Sequence, residues 1–455
     1  MGPQLGLGGH FSGVHGSAFI IAGGTNFPDS LPWQGGQKHW YDWIYVLLKN
    51  ENGTFRWHPQ RFQLPGGPRA YGVSVSTPTG VICVGGQNAD RAFKDVFRLS
   101  WNEQLEQIVI DTLPSLPQAQ CMMGGTLIGN TLYTLGGKSD LSSTLLEPLF
   151  FSLSLSGAKE STSTWQRFPP LPGKNRILPV VVAQSNGLDA CLYAFSGLHT
   201  MPGKSNEYLR DVFSYHPKTK TWRKCADLPL LNEQNRGIVA APAMAFGTAH
   251  ILTIGGVSGQ VNTRLEQLAQ QIRDLNATNT PEALNRVAEL QQARRAIYRT
   301  HPGFPRSILQ YHTITDTWQE LDQLPFASPV GTTLHQWDTQ WLMASGEVYP
   351  GQRSPELRSL RSKPRQPGLS VLNMSVLFLY FLALILVGIR FSKSQKNEED
   401  YFKGGGRIPW WAAALSLFGT GLSAITFMAV PAKTFATDWA YFARGFGILF
   451  IPFLV

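Results

Sequence analysis

Six copies of one short pattern, an apolar strand that ends in a pair of small residues, divide most of this chain. The pairs are Gly23-Gly24, Gly85-Gly86, Gly136-Gly137, Ser196-Gly197, Gly255-Gly256 and Ser345-Gly346. Glycine allows the sharp backbone turn that ends such a strand. A repeat of roughly 50 to 60 residues cannot bury its apolar face alone, so neighbouring copies must pack against one another.

A second signal sits between these pairs. A tryptophan precedes a Leu-Pro by six or seven residues at Trp57/Leu64-Pro65, Trp165/Leu171-Pro172, Trp222/Leu228-Pro229 and Trp318/Leu324-Pro325. A fifth Leu-Pro, Leu116-Pro117, lacks the tryptophan. Short strands and glycine turns at this period are typical of four-stranded blades arranged radially, with the tryptophan packed between blades. The pattern resembles the kelch repeat, which implies an all-β six-bladed propeller over about residues 5–355.

Two stretches depart from the repeat. No tryptophan and Leu-Pro strand precedes the first pair and none follows Ser345-Gly346, so we expect the strand that closes the ring to be missing or degenerate, through truncation at the N-terminus. Residues 260–300 read as a helical hairpin inserted in blade five, because Thr280-Pro281 supplies a cap and a proline at the first helical position. The hairpin is either a lid beside the central funnel or surface decoration.

The C-terminal part of the chain reads as membrane-spanning. Residues 371–389 carry no charge, and a helix of this length matches a hydrocarbon core of about 30 Å. Residues 408–432 form a second uncharged run, and a third apolar stretch after Arg444 reaches the last residue. We therefore expect a propeller domain at 1–358, a linker at 359–370 and a truncated set of transmembrane helices at 371–455.

Composition limits the function. The net charge of +9 comes without a run of like charges or a nucleic-acid motif, so we predict a substrate or membrane role and no nucleic-acid partner. The four cysteines lie far apart with no Cys-x-x-Cys, so neither a zinc site nor a dense disulfide framework is predicted, and buried thiols are expected.

Blade six carries the strongest chemical signal. In Gly346-Glu-Val-Tyr-Pro-Gly-Gln-Arg353, a Pro-Gly turn can fold the carboxylate of Glu347 towards Arg353. This loop resembles the active-site loop of the bacterial N-acetylneuraminate epimerases, or sialic acid mutarotases, which are six-bladed kelch propellers. The segments 10–26 and 67–74 resemble parts that lie late in that family, so the chain is similar to a cyclically permuted branch.

The resemblance implies an isomerase that exchanges the anomers of a sialic acid. Glu347 would be its acid/base, and Arg353 its partner. Arg353 would either keep Glu347 ionised or bind the sugar carboxylate. The alternative is that Glu347 and Arg353 form only a surface ion pair in a turn. We expect no metal in the propeller and no cofactor for the mutarotase. From their equivalent positions before inner strands, Arg69, Arg176 and Arg236 are predicted to form a cationic funnel mouth that binds substrate, with surface solvation as the alternative.

The segment 400–432, with Tyr401-Phe-Lys-Gly-Gly-Gly and Pro409-Trp-Trp, resembles the opening of the sodium/solute symporters. In that family a broken second helix contributes backbone carbonyls to a sodium site, which would place candidates at Gly419 and Leu422; a helix-packing surface is the alternative. A sodium ion would serve the full transporter, whose remaining helices this chain lacks.

The sequence thus predicts a sialic acid mutarotase tethered to a sodium:solute symporter, with sialic acid or a related anionic sugar and membrane lipid as partners. The expected location is the bacterial inner membrane, with a periplasmic propeller. A kelch module that only binds or senses a sugar acid for the transporter remains the rival, and another keto-sugar acid stays open as the substrate.

Overall fold

The computed structural model describes residues 2–50, 53–155, 163–202, 204–230, 237–257, 259–278, 280–361, 371–392, 408–421, 429 and 431–434. The chain divides into two compact units, Met1–Ser362 and Lys363–Val455. The first unit holds all the described strands, and the second holds two apolar helices.

The first unit is a six-bladed β-propeller, which confirms the predicted fold class. The innermost strands of blades one to six are Phe11–His15, Val73–Thr77, Gly124–Ile128, Val180–Ser185, Ala243–Phe246 and Leu334–Trp337. The second strands are Ala18–Ala22, Gly80–Val84, Thr131–Leu135, Ala190–Phe195, His250–Ile254 and Gln340–Ala344. The third strands are Trp43–Lys49, Val96–Asn102, Phe150–Ser154, Val212–His216, Ser307–His312 and Leu357–Leu360.

Outer strands complete five of the blades. They are Phe55–Trp57 together with Phe62–Gln63 in blade one, then Gln107–Leu113, Gln166–Arg167, Thr221–Cys225 and Thr317–Gln323. Among the described residues, blade six has three strands and no outer one, as the missing closing strand predicts. Three small hairpins lie outside the blades: Thr25–Asn26 with His39–Trp40, Leu198–His199 with Glu207–Tyr208, and Glu347–Tyr349 with Gln352–Arg353.

The ring closes between the first and the last blade. The innermost strand of blade one packs against that of blade six as well as that of blade two. The backbone N–H of Gly346 donates to the carbonyl of Leu7 at 3.0 Å, and the N–H of Leu7 donates to Ser345 Oγ. Each blade is therefore built from one continuous segment, and the residues before the first strand join it to the last blade.

The repeated tryptophans join neighbouring blades, as predicted. The indole N–H groups of Trp165, Trp222 and Trp318 each donate to a backbone carbonyl that follows the outer strand of the preceding blade, at 2.8, 3.1 and 3.0 Å. The ring of Trp318 also packs edge-on to Phe195 of blade four, with centroids 5.6 Å apart. A half-buried indole thus fills the gap between blades and keeps its polar atom bonded.

The four cysteines are free and buried, in agreement with the sequence. Burial raises the pKa of the Cys121 thiol to about 12 and that of Cys191 to about 11. Burial also raises the pKa of Cys83. Thiols of such high pKa stay protonated at neutral pH and behave as small apolar side chains.

The insertion in blade five is helical. Helix α1 is Gly259–Thr278 and helix α2 is Pro281–Arg299, which begins where the sequence predicts. The hydroxyl of Thr280 accepts a hydrogen bond from the N–H of Ala283 at 3.2 Å and so caps α2. The two helices bury a seam made of Leu268, Ile272, Val287 and Leu290.

The second unit contains helix α3, Val371–Ser392, and helix α4, Trp410–Gly421. In the described part of the chain one helix is long and apolar enough to cross a membrane, at Val371–Arg390, with a mean hydropathy of 2.4. Its span agrees with the first uncharged run. The second run continues beyond α4 into residues that lie mostly outside the described ones.

Two buried histidines belong to adjacent blades on either side of the ring closure. His335 contacts Thr333 Oγ1 at 2.7 Å and Ser12 Oγ at 3.0 Å through Nε2. Burial, reinforced by His10, lowers the pKa of His335 to about 3. Burial lowers the pKa of His10 to about 4, against a hydrogen bond to the Leu7 carbonyl that raises it. Both rings are therefore neutral at physiological pH.

We expect acid to destabilise the propeller through these two histidines. Their pKa values are lower in the folded chain, so below about pH 6.5 the unfolded chain binds more protons and stability falls towards pH 4. Each histidine contributes about 1.4 kcal/mol per pH unit in this window. Urea unfolding of the full chain in detergent should show a shallower fall for His335→Gln. Equal slopes for this variant and the wild type would contradict the prediction.

Candidate active site

A closed ring of backbone hydrogen bonds surrounds one mouth of the central channel. Each blade contributes one residue in the left-handed region, with φ between 51° and 67°. These six residues, here called the channel belt, are Gly9, Tyr71, Met122, Leu178, Ala240 and Gly331. Each N–H donates to the carbonyl of the belt residue of the preceding blade, at 2.6 to 3.2 Å, and Gly9 closes the ring by donating to Gly331. The belt lines a cavity of about 150 Å³.

Glu347 occupies a position that recurs in every blade beside this belt. The first residue after each small pair forms a β-bridge with the residue before the belt position. The six residues after the pairs are Thr25, Gln87, Lys138, Leu198, Val257 and Glu347. Glu347 is the one carboxylate among them, and its backbone exchanges hydrogen bonds with Val330 at 2.8 and 2.9 Å. This β-bridge therefore fixes the backbone of Glu347 at the mouth of the channel.

The Glu347–Arg353 pair forms as the sequence predicts. The two residues face each other in the small hairpin of blade six, and Arg353 Nη2 lies 3.1 Å from Glu347 Oε2. The other carboxylate oxygen accepts a hydrogen bond from the N–H of Gly351 at 2.9 Å, in the Pro-Gly turn. The side chain of Glu347 is 24% exposed and that of Arg353 is 2% exposed. The carboxylate is thus oriented from two sides and still reaches the channel mouth.

Arg353 is held by the first two blades. Its Nη2 donates to the hydroxyl of Tyr71 at 3.4 Å, and its guanidinium lies 4.9 Å from the ring centroid of Phe27. A Cβ on Gly8 would lie 2.3 Å from Arg353 Nε, so the close approach requires glycine there. Within the described residues, Nε and Nη1 of Arg353 have no hydrogen-bond partner.

Tyr71 is a site residue that sequence reasoning missed. Its backbone belongs to the channel belt with φ of 60°, which is strained for an aromatic residue, and its hydroxyl lies 3.1 Å from Thr25 Oγ1. Within the segment 67–74, which carries part of the family resemblance, the sequence predicts a role for Arg69 and none for Tyr71. The closed ring explains the miss, because Tyr71 and Arg353 are 282 residues apart in the chain.

The structure does not bring Arg69 and Arg176 to the channel mouth, which corrects the predicted cationic funnel. Arg69 is 1% exposed and donates to the carbonyl of Pro65 at 2.8 Å and to Asp95 at 3.3 Å. Arg176 is 2% exposed and forms a bidentate pair with Asp211 at 2.6 and 2.8 Å. Both occupy equivalent positions, as predicted, but their charges are paired inside their own blades.

Three other predicted features have different outcomes. Arg236 and Leu422 lie outside the described residues. Gly419 lies in the last turn of α4. In the part of the chain that the structure describes, no group of three or more His, Cys, Asp or Glu residues could hold a metal ion.

The helical hairpin lies at the same mouth as Glu347. Glu266 of α1 accepts hydrogen bonds from the N–H of Asn206 at 3.0 Å and from the hydroxyl of Tyr208 at 3.1 Å, both in a blade-four loop. Tyr298 of α2 stacks on Trp33 of a blade-one loop, with centroids 4.2 Å apart and planes inclined by 7°. The hairpin therefore spans from blade four to blade one beside the Glu347 loop, which favours the lid over surface decoration.

Comparison with known proteins identifies the family. A family model described as N-acetylneuraminate epimerase matches residues 113–367, which is more than half of the chain. The chain belongs to the N-acetylneuraminate epimerase family. The matched span includes Glu347 and Arg353, whereas Tyr71 and Phe27 lie before it.

Relatives of two kinds accompany this family assignment. An N-acetylneuraminate epimerase of Pasteurella multocida is 26% identical over 250 residues, which are 53% of this chain and 57% of that protein. A sodium/sialic acid symporter of Proteus mirabilis is 56% identical over 70 residues, which are 15% of this chain and 14% of that protein. The chain thus spans little more than half of the epimerase relative and about a seventh of the symporter. A segment similar to sialic acid symporters and a segment of the epimerase family therefore occur in one chain.

A solved structure has a similar fold to this chain. The structure described as YjhT covers 80% of this chain and 97% of its own, with a TM-score of 0.53 and 14% sequence identity. At this identity the match supports the propeller fold and nothing finer.

Proposed function

We propose that the propeller interconverts the α and β anomers of N-acetylneuraminate by acid/base ring opening. The observation that carries the proposal is the partly exposed carboxylate of Glu347, oriented at the channel mouth by Arg353 and by the Gly351 N–H. The family assignment and the epimerase relatives support an isomerase of this class. A related keto-sugar acid would meet the same groups.

The chemistry needs one group that accepts and returns a proton. Glu347 takes the proton of the anomeric hydroxyl and delivers it to the ring oxygen as the bond between the anomeric carbon and the ring oxygen breaks. The open ketone rotates about the adjacent carbon–carbon bond. The hydroxyl that carries the former ring oxygen then attacks the other face of the ketone, and Glu347 takes its proton and returns it to the ketone oxygen, which becomes the new anomeric hydroxyl. Because proton transfers suffice for this isomerisation, we propose that it uses no metal or organic cofactor.

The neighbours of Glu347 have positioning roles in this scheme. Arg353 is almost fully buried, so its ion pair fixes the carboxylate direction more than it reaches substrate. The hydroxyl of Tyr71 lies between Arg353 and Thr25, and Tyr71 is one of the residues that line the cavity. A hydroxyl in this place can donate a hydrogen bond to a sugar oxygen without adding charge.

We further propose that the chain joins this enzyme to a sialic acid carrier. The symporter relatives are named for sodium and sialic acid, and the epimerase relatives for N-acetylneuraminate, so both parts of the chain point to one sugar. Helix α3 would anchor the chain in lipid, in the bacterial inner membrane with the propeller on the periplasmic side. Sodium would bind in the complete transporter, with Gly419 and Leu422 as backbone candidates.

Proton NMR of freshly dissolved α-N-acetylneuraminate tests the enzyme proposal. The full chain in detergent micelles should accelerate the approach to the anomeric equilibrium in proportion to its concentration. Detergent alone supplies the blank. Saturable binding of the sugar without any acceleration would contradict the mutarotase and establish the rival function, a sugar-acid sensor or capture module.

A further inference from the structure

A lysine above three aromatic rings stands next to the Glu347–Arg353 pair. The ammonium of Lys38 lies 5.3 Å from the ring centroid of Tyr71, and 5.7 Å from those of Phe27 and Trp40. This aromatic cage is formed by the blade-one loop and by a residue of the channel belt. Ring faces attract an ammonium and restrict where it lies.

Lys38 is exposed and unpaired in the described part of the chain. No hydrogen bond or ion pair of its ammonium is found there, and its contacts are the three rings. A carboxylate of the same loop, Asp29, lies instead 3.5 Å from His39. The three N–H groups of the ammonium therefore stay free for water or a ligand.

The charges around the mouth leave Lys38 without a counter-ion. Glu347 and Arg353 neutralise each other at 3.1 Å. Phe27 lies under both cations, with Arg353 at 4.9 Å and Lys38 at 5.7 Å from its centroid. Lys38 and Arg353 thus share one ring face, and Glu347 is already paired with Arg353, which leaves the ammonium of Lys38 available to an anionic ligand.

Arg353 is poorly placed to hold that anion. It is 2% exposed, its Nη2 serves Glu347 and Tyr71, its Nε lies against Gly8, and its Nη1, which has no partner among the described residues, is buried. Arg69 and Arg176 are paired inside their blades. Of the cations named at this site, Lys38 combines exposure with a free ammonium.

We propose that Lys38 binds the carboxylate of the sugar acid and sets the preference of the site for anionic over neutral sugars. The inference rests on the proposed function, because it assigns the substrate anion to a residue of the same site. The aromatic cage holds the ammonium on Phe27 and Tyr71, which also contact Arg353, so that a carboxylate bound to Lys38 orients the adjacent anomeric centre towards Glu347. Neither Arg353 nor the buried arginines take this role.

Lys38→Met in the full chain, assayed in detergent by NMR, tests the proposal. The substrates are N-acetylneuraminate and its neutral carboxamide. We expect the KM for the acid to rise about 10- to 100-fold, as for loss of a charged hydrogen bond. The kcat for the acid should change less than about twofold, because Lys38 does not transfer protons. The KM for the carboxamide should also change less than about twofold, because the neutral amide forms no ion pair with Lys38.

Two matched variants separate contact from general electrostatics. Lys138→Met removes one charge in blade three, at the position that Glu347 occupies in blade six, where the ammonium bonds the carbonyl of Leu141. It should leave the KM for the acid near the wild-type value, and Lys38→Arg should retain much of the affinity. An unchanged KM in Lys38→Met, or an equal rise in Lys138→Met, would overturn the assignment.

The experiment also distinguishes failure of the inference from failure of the proposed function. If the wild type binds N-acetylneuraminate but does not accelerate mutarotation, the enzyme proposal fails, and Kd values replace KM. Weaker binding of the acid by Lys38→Met alone would then still support the carboxylate contact. No saturable binding by the wild type would overturn both proposals.

Discussion

Glu347→Gln is expected to lower the mutarotation rate constant about 10²- to 10⁴-fold, the range for loss of a positioned acid/base group. The amide has the size of the carboxylate, and its oxygen can still accept the N–H of Gly351. It cannot accept the anomeric proton, and it replaces the charge that lies 3.1 Å from Arg353. The loss should therefore appear in kcat, with KM within a few-fold of the wild type. Exchange between the two anomeric signals near equilibrium gives both constants.

Glu356→Gln is the matched control for this variant. Glu356 belongs to the same connection of blade six, its side chain is 65% exposed, and it pairs with Arg358 away from Glu347. We expect its rate within about twofold of the wild type, since an exposed pair contributes little. A wild-type rate in Glu347→Gln would show that another group takes the proton. Loss of both rate and binding would instead point to a damaged blade, which the thermal unfolding of the variant would reveal.

Local patterns explain why most of the fold could be predicted. Each blade contains its own small pair, and most blades also contain a tryptophan and a Leu-Pro, so the pattern repeats along the chain. The pairing of Glu347 and Arg353 was equally local, because a Pro-Gly turn of a single hairpin brings the two together. Thr280 and Pro281 marked the start of α2 for the same reason. Features decided within a few residues are visible in a sequence.

The rest of the site depends on closing the ring. Phe27, Lys38 and Tyr71 come from the first two blades, and only the contact between blades one and six brings them to Arg353. The channel belt was also invisible, because four of its six left-handed residues are not glycine. Their strain is imposed by the ring of hydrogen bonds and not by a local preference.

The two arginines were misplaced because their partners were not considered. Asp95 and Asp211 each begin an Asp-Val-Phe at the start of a third strand, and each pairs with the arginine that precedes the first strand of its blade. This repeated aspartate was the signal that could have identified structural pairs. An arginine considered without its repeat suggests an anionic ligand. Considered together with the aspartate that recurs in the same blade, it suggests an ion pair inside that blade.

Arg176→Met is expected to lower the free energy of unfolding by about 3 to 5 kcal/mol, the range for breaking a buried ion pair. The guanidinium donates to both oxygens of Asp211, to the carbonyl of Ser196 at 2.9 Å and to that of Lys174 at 3.1 Å. Methionine fills part of the space but leaves these acceptors unpaired. Urea unfolding of the full chain in detergent, followed by tryptophan fluorescence, measures the loss.

Asp211 and Arg69 supply the controls that decide what Arg176 does. The double variant Arg176→Met/Asp211→Asn should lose less stability than the sum of the single variants, because no carboxylate is left without its partner. Arg69→Met should cost less than Arg176→Met, since Asp95 is 52% exposed and makes a single, longer contact of 3.3 Å. If Arg176→Met instead unfolds like the wild type and raises the KM for N-acetylneuraminate, the funnel role predicted from the sequence is correct, and the ion-pair role inferred from the structure is wrong.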